Sequence, residues 1–147
     1  MVGVEIDMVV KDSIEALALY ESIFDTERIE VTNFDRGMNE AVFTIYGVRF
    51  HLLDENPEYK LIAPKEGDAK PMWVNVLVPD IKATYDKAIK AGCSEIQPVT
   101  EMMDFGVSNA VFSDKFGYVW MLHQIHREIS FEDRVKMFED EMKEQKE

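Results

Sequence analysis

Gly47-Val48-Arg49-Phe50-His51-Leu52 returns 70 residues later as Gly117-Tyr118-Val119-Trp120-Met121-Leu122. Working outward from this pair, Ala41-Val42-Phe43-Thr44 returns as Ala110-Val111-Phe112-Ser113, at an offset of 69. Val10-Lys11-Asp12 returns as Val78-Pro79-Asp80, at an offset of 68. Three matches in one order, with offsets drifting by one, indicate two copies of one unit separated by small insertions.

Each copy carries the same element signals. Residues 4 to 10 alternate, with Ile6, Met8 and Val10 on one face and Glu5, Asp7 and Val9 on the other, which predicts a half-buried strand. Asp12 with Glu15 three residues on is a capping box. The helix it starts is expected to bury Leu17, Ala18 and Phe24. Strands follow over 28–34, 39–46 and 48–54, divided by turn residues and by the Tyr46-Gly47 step. The second copy opens with an alternating strand over 72–78. Asp80 caps a helix expected to carry Ile81, Tyr85, Ala88 and Ile89 inward and to stop at Gly92. Strands over 94–102, 107–113 and 118–125 complete it.

The chain therefore divides into module one (1–55), a polar, proline-punctuated connecting loop (56–71), module two (72–126) and an amphipathic helix (130–146). In that helix Phe131, Val135, Phe138 and Met142 form the apolar stripe, and Ser130 with Asp133 supplies the cap. The stripe can pack on its own domain or on a partner subunit. The fold class is α+β: two tandem βαβββ modules forming a curved mixed sheet around a cleft, plus the C-terminal helix.

Composition sets outer bounds. At 147 residues, 46% hydrophobic and 31% charged, the chain has one domain's length and a globular composition. The net charge of −13 opposes binding to nucleic acid or anionic membrane. No apolar run approaches the about 18 residues of a membrane span, and the first residues do not read as a signal peptide. The single cysteine, Cys93, rules out an internal disulfide and follows a helix-ending glycine, where the helix field does not favour a thiolate. A cytoplasmic location is expected. No nucleophile elbow, phosphate loop, HExxH or dinucleotide fingerprint is present.

The duplicated pattern, with Val10-Lys11-Asp12 before a helix ending near Tyr20 and Phe24, resembles the vicinal-oxygen-chelate superfamily of glyoxalases, bleomycin-resistance proteins and dioxygenases. The run Phe112-Ser113-Asp114-Lys115-Phe116-Gly117-Tyr118-Val119-Trp120-Met121-Leu122 is similar to the D-x-F-G-x-x-W signature of its PhnB-like branch. The resemblance covers residues 3 to 125. It implies a ligand cleft faced by Glu5, Asp7, His51, Trp73, Asn75, Met121 and His123. Phe105 joins them, with Met103, Phe43 and Tyr46 as further apolar lining. The segment 101–106 is expected to form a mobile lip, and Asp114 and Lys115 to be turn formers.

Metal-dependent members of the superfamily draw ligands from positions that fall here on Glu5, His51, Trp73 and Met121. Glu5 and His51 suit a divalent ion, but an indole N–H cannot ligate and a thioether suits soft copper. No metal and no other cofactor is therefore expected; any metal would use Glu5 and His51, and these two residues can instead pair with each other. The expected function is binding of a small organic ligand without a catalytic metal, whether or not a reaction follows. The alternative is a divalent-metal-dependent lyase, isomerase or dioxygenase using Glu5 and His51. The resemblance also implies a homodimer.

Overall fold

The echo in the sequence is a repeat of strand register. In the computed structural model, which describes residues 1–146, the chain runs β1 (Ile6–Val10), α1 (Ser13–Ile23), β2 (Thr26–Val31), β3 (Glu40–Ile45) and β4 (Val48–Asp54). After the connecting loop come β5 (Val74–Leu77), α2 (Ile81–Lys90), β6 (Ser94–Met102), β7 (Val107–Ser113), β8 (Val119–Ile125) and α3 (Phe131–Lys146). Each module forms its own four-stranded mixed sheet, in the orders β1-β4-β3-β2 and β5-β8-β7-β6. The parallel pair Ile6↔Phe50 of the first sheet becomes Val74↔Trp120 in the second, and Phe43↔Phe50 becomes Phe112↔Trp120. Even the irregularity is copied: register shifts between Arg28 and Glu30 in one module, and between Glu95 and Gln97 in the other. The duplicated α+β architecture is thus present at the level of individual backbone pairs.

Local chemistry explains the elements. Asp12 accepts a hydrogen bond from the Glu15 N–H at 3.0 Å, and Asp80 accepts one from the Ala83 N–H at 3.1 Å, so both helices carry an aspartate cap. A second cap arrives from the far end of each sheet. Asp54, at the end of β4, accepts from the Ser13 N–H at 2.7 Å, and Gln124 of β8 accepts from the Ile81 N–H at 2.9 Å. Tyr46 and Gly47, at φ 46° and 81°, join β3 to β4 in a two-residue turn whose twist matches the strands.

The core lies where helices meet the inner faces of both sheets. Trp120 is its centre, with ring centroids 5.0 Å from Tyr20, 5.1 Å from Phe24 and 6.2 Å from Phe50. Tyr20 and Phe24 come from module one and Trp120 from module two, so one core serves both. Removing such side chains from water contributes roughly 1.5–3 kcal/mol each.

Several expectations need correction. Helix α1 buries Ser13, Ala16, Leu17, Leu19, Tyr20 and Ile23, whereas Ala18 and Ile14 are exposed. Packed between two modules, α1 needs a wider apolar arc than one stripe. On α2, Thr84 is buried and Ile89 is exposed. Phe43 is core, stacked on Tyr20, because its strand face points toward the helices. Strands β1 and β5 are shorter than read, leaving Glu5 and Trp73 just before them.

Candidate functional site

His51, on β4, sits among three carboxylates. Its Nδ1 lies 2.9 Å from Glu5 Oε1 and 3.5 Å from Asp7 Oδ1, and its Nε2 lies 3.3 Å from Glu40 Oε2. Register places them together: Asp7 of β1 and Val42 of β3 are the Cα partners of His51, so strand alternation puts Glu5, Asp7 and Glu40 on its face. The second oxygen of Glu5 is held by the Arg49 guanidinium. Arg49 was not anticipated, although it stands two residues before His51 and so shares its face. Glu40 could be found only from the β3–β4 register.

The Arg49 hydrogen bond holds the Glu5 carboxyl below the usual carboxylate range, with His51 adding to it against a smaller desolvation effect. Asp7 moves the other way. Desolvation and the neighbouring Glu5 charge raise its carboxyl, while His51 opposes them. Imidazole can donate from both nitrogens only when doubly protonated. The cluster can therefore bind polar atoms and exchange protons among carboxylates and a ring.

The remaining predicted residues fall in two other places. Asn75 of β5 lines a groove at the junction of the modules with Ile6, Tyr46, Val48 and Leu77; its volume is 340 Å³. Met121 is the Cα partner of Asn75, and Trp73 is exposed just before β5. Phe105 and His123 line a separate pocket near α3. The structure thus joins Glu5 to Asp7 and His51, and Phe105 to His123, but brings neither set to Asn75. The segment 101–106 is pinned rather than lip-like. Arg127 donates to the Met103 carbonyl at 2.7 Å, and the Gly106 carbonyl accepts from the His126 N–H at 2.7 Å. A Cβ on Gly106 would stand 2.6 Å from the Arg127 carbonyl oxygen.

Asp114 does more than form a turn. Its carboxylate is 1% exposed and accepts from the Tyr20 hydroxyl at 2.6 Å, Trp120 Nε1 at 2.8 Å, and the Phe116 and Tyr118 N–H groups at 2.9 and 3.1 Å. The run from Asp114 to Trp120 is therefore a structural latch, and Tyr20 ties it to module one.

The model for the Glyoxalase/Bleomycin resistance protein/Dioxygenase superfamily matches residues 4–122. The chain belongs to this superfamily. Among curated relatives, the uncharacterized protein Mb0911c of Mycobacterium bovis is 26% identical over 130 residues, covering 86% of this chain and 85% of that protein. The Mycobacterium tuberculosis protein Rv0887c is also 26% identical over 130 residues, covering 86% of this chain and 76% of its own. Among solved structures, the fosfomycin resistance protein FosX of Listeria monocytogenes, in complex with Mn(II) and sulfate, has a TM-score of 0.67 at 16% identity, covering 94% of this chain and 98% of that one. The PhnB protein of Bacillus cereus has a TM-score of 0.62 at 18% identity, covering 84% and 99%. These likenesses show the fold of the superfamily.

A metal is tested by the donors present. Glu5, Asp7 and His51 each offer an atom within 4.8 Å of the others. Yet both Glu5 oxygens already serve Arg49 and His51, and the guanidinium places a positive charge beside any cation. Trp73 and Met121 add no hard donor. Glu5, Asp7 and His51 are the residues that could hold a divalent ion, which would have to displace these pairings.

Proposed function

We propose that this protein binds a small organic ligand in the groove between its modules, without a catalytic metal. The groove itself carries the reading. Ile6, Ile45, Tyr46, Val48 and Phe50 of module one and Val74, Val76 and Leu77 of module two give it apolar walls, with Asn75 the polar side chain that can orient a guest. Its 340 Å³ lies within the about 300–1,000 Å³ of small-molecule sites.

The test uses Nile red, a flat neutral probe, with chelator present throughout. Saturable fluorescence enhancement that is lost in Leu77→Glu supports the reading. Binding that needs added metal, or that ignores Leu77→Glu, refutes it.

One observation favours a second reading, a divalent-metal-dependent lyase, isomerase or dioxygenase: three donor groups converge at Glu5, Asp7 and His51. That reading predicts zinc or manganese binding by calorimetry that disappears in His51→Ala. The proposal also includes a homodimer, as the superfamily resemblance implies, whose mass light scattering of the purified chain measures, and a cytoplasmic location, the default compartment for a chain with a single cysteine. No helix is long and apolar enough to cross a membrane among the described residues.

A further inference from the structure

The two repeats treat the two ends of their junction differently. Val48 and Tyr118 hold the same position in the repeat, one residue after Gly47 and Gly117. Tyr118 of module two is half-buried and crosses to β1 of module one, where its hydroxyl donates to the Val9 carbonyl at 2.8 Å. At the other end Val48 of module one shares the 340 Å³ groove with Val74, Val76 and Leu77 of β5. A phenol closes one end, and an isopropyl group leaves the other open.

The backbone groups at the two ends are equivalent as well. By the offset of 68, Leu77 stands where the first repeat has Val9. The Val10 carbonyl accepts from the Glu55 N–H at 2.7 Å, and the Val78 N–H donates to the His123 carbonyl at 2.9 Å, so both residues turn their backbone toward the neighbouring strand of their own sheet. Backbone direction alternates along a strand, which turns the Val9 and Leu77 carbonyls to the other edge. β1 and β5 are the end strands of their sheets, and an end strand offers its outer carbonyls to whatever lies beside it. For Val9 that neighbour is Tyr118. Leu77 is 56% exposed and lines the groove. No charged side chain lines the groove among the described residues, which favours a neutral guest.

We propose that the groove takes a neutral phenol, with its ring against Val48 and Val76 and its hydroxyl donating to the Leu77 carbonyl as Tyr118 donates to Val9. This rests on the reading of the groove as a ligand site and adds the chemical class of the guest.

The test titrates the full chain, with chelator present, with 2-naphthol and with 2-methoxynaphthalene, which keeps the rings but has no hydroxyl to donate. Fluorescence gives the affinities, and NMR follows the Leu77 carbonyl carbon. Saturable binding of 2-naphthol is expected, about fivefold tighter than the ether, the worth of one neutral hydrogen bond. The Leu77 carbonyl signal should shift with the naphthol only. Val48→Tyr gives the open end the phenol that the other end has, and should weaken 2-naphthol about tenfold or more; Val48 is 51% exposed, so the larger side chain displaces no core. Val48→Ile should keep the affinity. Equal affinity for the naphthol and the ether, an unmoved Leu77 carbonyl, or undiminished binding by Val48→Tyr overturns the phenol. The ether comparison uses the wild-type chain and so stands whether or not a variant folds. If Nile red still binds and is lost in Leu77→Glu, the groove reading survives that result; if neither Nile red nor 2-naphthol binds, both fall.

Discussion

Asp114→Asn keeps the shape of the latch and removes its ability to accept on both sides. The Asp114 carboxylate faces four donors and no acceptor. An amide has one oxygen and one NH2. If the oxygen faces the Phe116 and Tyr118 N–H groups, the NH2 faces the Tyr20 hydroxyl and Trp120 Nε1. Tyr20 can turn its hydroxyl to accept. The indole N–H cannot, so a buried donor is stranded at about 1–3 kcal/mol. The bond from Tyr20 also loses its charge assistance, worth about 1 kcal/mol more. The sum is about 3 kcal/mol, with no cavity to add because the residues are isosteric. For a chain of this length that lowers Tm by roughly 6–12 °C. Tyr20→Phe leaves Trp120 on the carboxylate and should cost only about 1–2 kcal/mol. Urea denaturation of wild type, both single variants and the double variant measures the pair. The double variant should be more stable than the sum of the singles implies, by about 1 kcal/mol. Burial, then Asp114 itself, pushes the Tyr20 hydroxyl well above its ordinary value, so it stays a donor across the assay range. A loss under about 0.5 kcal/mol for Asp114→Asn would falsify the latch, since a surface-like effect means the four bonds hold nothing together.

Asp54 gives an acid-side prediction. Burial works to raise its carboxyl, but hydrogen bonds from the Ser13, Asn39 and Gly37 N–H groups outweigh it and the net shift is downward. A lowered folded-state value means stability that is present above the unfolded carboxyl's range and lost as pH falls through the folded one. Asp54→Asn should therefore flatten the dependence of urea midpoint on pH below about 4 and lower stability at pH 7; an unchanged acid slope contradicts it. Arg49→Ala should raise the Glu5 carboxyl toward its ordinary range, read from its carbon chemical shift against pH, and an unmoved titration would mean that Arg49 does not set it. Cys93 is buried, and burial pushes its thiol up to about 12. At pH 8 it should react with a disulfide reagent only as fast as the chain opens, so rapid labelling of the native protein would contradict that burial.

The duplication was legible because a repeat of sequence is a repeat of strand faces and caps. Phe50 and Trp120, or Asp12 and Asp80, can be equated by counting, and alternation together with the family resemblance puts Glu5, Asp7 and His51 on one face. The pairing of Glu5 with His51, one of the alternatives open to these residues, is present at 2.9 Å. Other features needed contacts between residues far apart in the chain. Glu40 reaches His51 through the β3–β4 register, Asp114 meets Tyr20 across 94 residues, and Tyr118 donates to the Val9 carbonyl across 109. The first of these is closed by pairing two strands within module one, and the other two by docking one module on the other. The burial of Phe43 likewise needed the packing of α1 on its own sheet, which sets Tyr20 against the Phe43 ring.

The sequence alone determined the two modules, their helix caps and most strand faces, because these follow from short-range periodicity and turn chemistry that each segment carries by itself; the superfamily came from the resemblance of the Asp114–Trp120 run and the duplicated pattern, which the family match bears out. Only the tertiary structure decided which faces share a pocket and which carboxylate becomes a buried latch. Those properties depend on the relative placement of two sheets and a terminal helix, and no local pattern encodes that placement.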